Sequence, residues 1–173
     1  GQTVSLSGTG GVGTQQAVSG VGALIAPIGL DLAGTPGMVS GRSSGGLDLF
    51  TDTGTGFAWR AGLDDAADRY LADVAENATF DILGTDYIAT ISATEDGVNL
   101  ASATATTLSQ TGVFGAAEGL PINTPTDVNV IQRLDETLLV VSASGSASLS
   151  VVTVDATGAP SLSDHVLDAE WAG

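Results

Sequence analysis

From about residue 72 onward the apolar positions fall in short runs, cut at regular intervals by turn residues. "ATFDIL", "DYIATISA" and "GVNLASA" are rich in β-branched and small side chains, and Gly84-Thr85 and Glu95-Asp96-Gly97 separate them. After the loop "GAAEGLPINTPT" the scheme returns as "DVNVIQ", "TLLVVSAS", "SLSVVTVD" and "LSDHVLD", with turns at Asp135-Glu136, Gly145 and Ala156-Thr157-Gly158. In each half a continuous apolar run precedes an alternating one. That order suits an inner strand packed on both faces, then an outer strand with one wet face. Upstream, "GGLDLFTDTGTGFAWRAG" reads as a β-hairpin, with Leu47 and Leu49 alternating before a Thr-Gly turn into Phe57-Ala58-Trp59.

Two stretches are less regular. In "LDDAADRYLADVA", residues 63–75, Leu63, Ala66, Ala67, Tyr70, Leu71 and Val74 recur at helical spacing, and Asp64 and Asp65 suit a helix N-terminus. A short helix and a loop leading into a strand fit this segment equally. Residues 1–45 are rich in Gly, Ser and Thr and read as short strands joined by long loops.

The two regular halves overlay. "ADVAENATFDILGTDYIATISATEDGVNLASA" corresponds to "TDVNVIQRLDETLLVVSASGSASLSVVTV", aligning Asp73-Val74 with Asp127-Val128 and Ser92-Ala93 with Ser142-Ala143. A period of roughly 50 residues is the length of a four-stranded propeller blade. The expected fold class is therefore all-β, with propeller-like blades of four-stranded antiparallel sheets. The division that follows is an N-terminal segment over 1–45, a partial blade over 46–71, and blades over 72–125 and 126–173. Three to four blades, at roughly 50 residues each, are too few for a closed ring. The ring would be completed by further chain or by other subunits, since open sheet edges invite aggregation.

Composition narrows the setting. Hydrophobic residues make up 43% of the 173, but only 5% are aromatic, so the core is built from small side chains. Twenty Asp and Glu face four cations, all arginine, for a formal charge of −16. Such a surface repels phosphate backbones and anionic membranes, and no apolar run approaches the roughly 20 residues of a spanning helix. Divalent cations, salt-rich water or basic partners suit it better. With no cysteine, disulfides, thiol catalysis and thiolate metal sites are excluded. The chain begins at Gly1 without Met, from which we expect either a processed N-terminus or, the favoured reading, a piece of a longer polypeptide.

"YIATISATEDGVNLAS", "GAAEGLPINTPTDVNVI" and "LLVVSASGSASLSVVTVDATGAPSLSDHVLD", within residues 87–168, resemble the propeller-like repeats of large alphaproteobacterial secreted proteins of the hemolysin-type calcium-binding family. The likeness covers about half the chain, extends loosely over 46–85 and leaves 1–45 unmatched. It implies a propeller-like fold, type I secretion and an extracellular or cell-surface location. It carries blade-forming residues and no catalytic ones. The family's calcium nonapeptide, G-G-x-G-x-D-x-U-x, is absent: "GGVG" at 10–13 lacks the Asp and "GGLDLF" at 45–50 lacks the third Gly.

The search for chemistry yields few candidates, and no catalytic or cofactor-binding residue is assigned. His165, the sole histidine, lies between Asp164 and Val166 on an expected strand near Ser161 and Ser163, and adjacency on one strand does not build a triad. We expect it to be a half-exposed strand residue hydrogen-bonded to a neighbour. Asp64, Asp65 and Asp68, or Glu95-Asp96 on their turn, could hold Ca2+ through oxygen ligands, although such groups are more often solvated; the metal ligands stay unassigned. Paired-carboxylate glycosidase chemistry would want aromatic platforms, for which Trp59, Trp171, Tyr70 and Tyr87 are available. No P-loop occurs. The expectation is a non-enzymatic structural or interaction module whose partners are copies of itself or the remainder of a larger polypeptide. The alternatives are a β-rich virion or filament subunit and, less favoured, a lactonase-like propeller hydrolase.

Overall fold

A computed structural model describes residues 2–4, 16–18 and 23–167. Two short strands near the N-terminus, β1 (Gln2–Val4) and β2 (Gln16–Val18), pair antiparallel. Three four-stranded antiparallel sheets follow. The first contains β3 (Leu24–Leu32), β4 (Thr35–Arg42), β5 (Leu47–Asp52) and β6 (Phe57–Leu63). The second contains β7 (Val74–Ile82), β8 (Thr85–Ser92), β9 (Gly97–Ala103) and β10 (Leu108–Gly115). The third contains β11 (Pro125–Gln132), β12 (Thr137–Ala143), β13 (Ser148–Val154) and β14 (Pro160–Leu167). Each strand pairs with its neighbours in sequence, so every sheet is a simple meander. The fold class is all-β, with propeller-like blades that do not close into a ring.

The first strands of the three blades, β3, β7 and β11, lie against one another in order and form the inner edge. Between blades the interfaces are apolar. Val39, Leu47 and Leu49 of the first blade share a buried cluster with Ile88, Ala101 and Leu108 of the second. Ile91, Val98 and Leu100, from the second blade's other face, join Leu139, Val141 and Val152 of the third. Burial of both faces explains why β8 is buried from Tyr87 to Ser92.

The first blade begins at Leu24, so the boundary drawn after residue 45 falls in its β4–β5 turn, and residues 46–63 supply only its outer hairpin. Strand β3 was hidden because it bulges between Ile25 and Ile28 and carries Pro27 and Gly29, which break the alternation. The segment after Leu63 is a loop, not a helix: it crosses between blades and buries Leu71 fully. The innermost strands are β7 and β11, so the continuous apolar runs β8 and β12 are second in their sheets. Strand β9 is almost wholly buried, where a wet face was expected, because the third blade covers it; β13, on the last blade, does alternate.

Register also corrects the overlay. Ser92 stands opposite Val74 and Gly97, as Ala143 stands opposite Pro125 and Ser148, so Val74 corresponds to Pro125 and Ser92 to Ala143. The repeat extends to irregularities. The outer pair of strands slips by one residue in every blade, at Arg60, Thr111 and Ser163. The first strand bulges near its start in every blade as well.

Candidate functional site

The strand pairing assembles a polar rung at the same level of each blade. In the first, the Ser40 hydroxyl donates to the Ile25 carbonyl at 3.0 Å, and the buried carboxylate of Asp48 accepts from Trp59 Nε1 at 3.0 Å. Arg42 Nε lies 3.6 Å from Asp48, within ion-pair reach but too far to hydrogen-bond, while Arg42 Nη2 meets Asp64 at 2.8 Å. In the second blade the Thr90 hydroxyl donates to Asn77 Oδ1 at 2.6 Å, and Asn77 Nδ2 donates to the Ala26 carbonyl across the interface at 2.8 Å. Asn99, next on that rung, is fully buried and its amide has no partner.

The third rung holds the sole histidine. The 150–165 pairing of β13 with β14 brings Ser150 Oγ within 2.8 Å of His165 Nδ1. Ser161 and Ser163, the serines close in sequence, are not its partners; the hairpin register finds Ser150, and only the turn at Ala156–Gly158 hinted at that register. A hydrolytic triad needs a carboxylate on the second imidazole nitrogen. Asp164 instead accepts from the His165 backbone N–H at 2.8 Å, and Ser150 is fully buried, so the pair acts as a strand-to-strand clasp.

The acidic candidates are dispersed. Asp64 is held by Arg42, while Asp68 offers its carbonyl to Gln110 at 3.0 Å. Arg69 Nε donates to Gln110 Oε1 at 2.7 Å, tying the same loop to β10. Glu95 and Asp96 sit on the β8–β9 turn and serve the segments between blades: Glu95 accepts from Ala72 N–H and Asp96 from Thr124 N–H, at 2.8 and 2.7 Å. Among the described residues no three His, Cys, Asp or Glu side chains come close enough to hold a metal. One carboxylate does feel its neighbours: burial, and then Asp81 and Asp31, raise the pKa of Asp86.

Two of the four aromatic candidates are structural. Tyr87 stacks on Phe80, with ring centroids 5.5 Å apart. Tyr70 lies over Gly97 and Gly115 and donates to Glu118 Oε2 at 2.8 Å. Its partial burial, then the hydrogen bond to Glu118, push its pKa up to about 12. Trp59 is 53% exposed, and Trp171 lies outside the described residues, as does the "GGVG" run at 10–13.

Among the described residues one concave surface, of about 610 Å³, lies between the second and third blades and is lined by Asp81, Leu83, Gln132, Arg133, Glu136 and Asp155, and two others stand out. A polar groove along the inner edge is lined by Glu76, Asn77, Thr79, Asp127 and Asn129. The other is an apolar groove of about 500 Å³ on the far face of the third blade, bounded by Thr126, Ser142, Ala143, Ala147, Leu149 and Val166. The apolar groove was not foreseen, because it depends on how the sheets stack and on which face of the third blade is left open. No family model matches the chain, and no curated protein does either.

Proposed function

We propose that this chain is a non-enzymatic structural module: a run of propeller-like blades in an acidic protein that is secreted or held at the cell surface. The far face of the third blade is the observation that supports the reading most. Corresponding positions on the three blades are Leu47, Val98 and Leu149; the first two are fully buried under the next blade, and Leu149 is 45% exposed. A sheet face built for packing and left open belongs to a part that joins other parts. The dense negative charge keeps such a module soluble in salt-rich surroundings.

Incubation with a panel of lactones and esters, with and without Ca2+, tests the non-enzymatic half of this reading. We expect no turnover above buffer. Hydrolysis that disappears in Ser150→Ala or His165→Ala would overturn it.

A further inference from the structure

The segments between blades show how each interface is closed. The first, residues 64–73, sends Leu71 into the cluster that contains Leu47. Its backbone is held on both sides: Gly46 N–H donates to the Leu71 carbonyl at 2.8 Å, and Ala93 N–H donates to the Asp73 carbonyl at 3.0 Å. The second segment, residues 116–124, sends Leu120 and Ile122 into the cluster that contains Ile91 and Val98. There the Asp96 carboxylate accepts from Thr124 N–H, while Ser144 N–H donates to the Thr124 carbonyl at 3.0 Å, matching the bond from Ala93 to Asp73. In both cases an apolar plug drops beside the turn between the second and third strands. The next sheet then lies over the face that the plug has started to cover.

The groove on the third blade occupies the same place once more. Ala143, Ala147, Leu149 and Val166 bound it beside the β12–β13 turn, and Ser142 and Leu149 stand where Ile91 and Val98 stand one blade earlier. Val140 and Val151 extend the half-buried apolar surface across the sheet. We infer that this face is a socket for a fourth four-stranded sheet of the same polypeptide, entered through one bulky apolar side chain that fills the groove. The inference rests on the structural-module reading above and names what covers the open face.

A second copy of the chain is the less suitable occupant. A head-to-tail contact would need an open apolar face on the first blade, but Met38, Ser40 and Phe50 there are already fully buried. The sequence also favours continuation. One repeat beyond Leu120, at roughly 50 residues, it reads Trp171, a residue outside the described part.

The absence of native cysteine allows a direct test. Leu149→Cys places a thiol on the socket, and Leu134→Cys places one on a fully exposed loop as a reference. Each is made in the 173-residue chain and in a chain lengthened after Gly173 by a copy of residues 123–167. The expected result is that maleimide labels Leu149→Cys at least tenfold more slowly in the longer chain, with Leu134→Cys unchanged. Equal labelling of Leu149→Cys in both chains, whether or not the added segment folds, overturns the inference and leaves the module reading intact. Protection that appears in the 173-residue chain as its concentration rises assigns the face to a second copy and overturns it too.

Discussion

Asn99 is the residue whose chemistry conflicts most with its place. It is fully buried between two blades, its side-chain oxygen and nitrogen both lack a partner, and its neighbours on the rung, Asn77 and Thr90, satisfy each other. A buried polar group without a partner costs about 1–3 kcal/mol, and an apolar residue of similar shape avoids that cost. Asn99→Val should therefore stabilise the protein by about 1–3 kcal/mol, seen as a higher midpoint in urea with an unchanged slope. Two aspartates give pH dependences of opposite sign. Asp86 has a raised pKa, so between 3.8 and its folded value the native state holds the extra proton, and stability falls as pH rises through that window. Asp155 has a lowered pKa because Thr157 Oγ1 and the N–H groups of Ala159 and Thr157 donate to its carboxylate. Its contribution is present above 3.8 and is lost as pH falls through the folded value. In thermal melts against pH, Asp86→Asn should gain stability relative to the parent above the window, and Asp155→Ala should lose stability at neutral pH but not at the acid limit. Of the site residues, the sequence identified Glu95, Asp96 and His165 as worth following, but not what they touch, since each partner comes from register or from a segment between blades.

At the scale of elements, the β3–β4 and β7–β8 hairpins share one design. Ala33-Gly34 and Leu83-Gly84 both have positive φ, the geometry of the type I′ turn, and the Asp31 and Asp81 carboxylates accept from the N–H groups of Gly34 and Gly84. A leucine in the left-handed region is strained, and Leu83 is 88% exposed, so packing offers no compensation. Leu83→Asn should raise stability by up to about 1 kcal/mol in the same urea assay. Gly97 is constrained in another way: a Cβ there would clash with the Cγ end of the Tyr70 ring. Gly97→Ala should thus displace Tyr70, lower stability, and bring the phenol's titration down from about 12 toward its ordinary value, followed by ultraviolet absorbance. These turns explain what could be read in advance. The second and third blades were visible because their apolar runs are regular and their turns carry Gly, Asp and Thr. The first blade was read only in part, because Pro27 and Gly29 break the alternation of β3, although the Asp-x-x-Gly-Thr run at 31–35, repeated at 81–85, marks it. The bulges at Arg60, Thr111 and Ser163 have no local signature, since they arise where a strand bends to follow its neighbour.

At the scale of the molecule, three repeats of one sheet, joined by plugs and stacked along their inner strands, make a quasi-one-dimensional array. Stability in such an array is approximately a sum of sheet and interface terms. The open face of the third blade is an interface term not yet realised among the described residues, and the socket inferred above is where it would be added. The meander has a separate kinetic consequence. Because every strand pairs only with strands adjacent in sequence, each blade can complete its own hydrogen bonding before later residues are made. The chain is thus suited to vectorial folding, in which each finished sheet serves as the template on which the next one condenses.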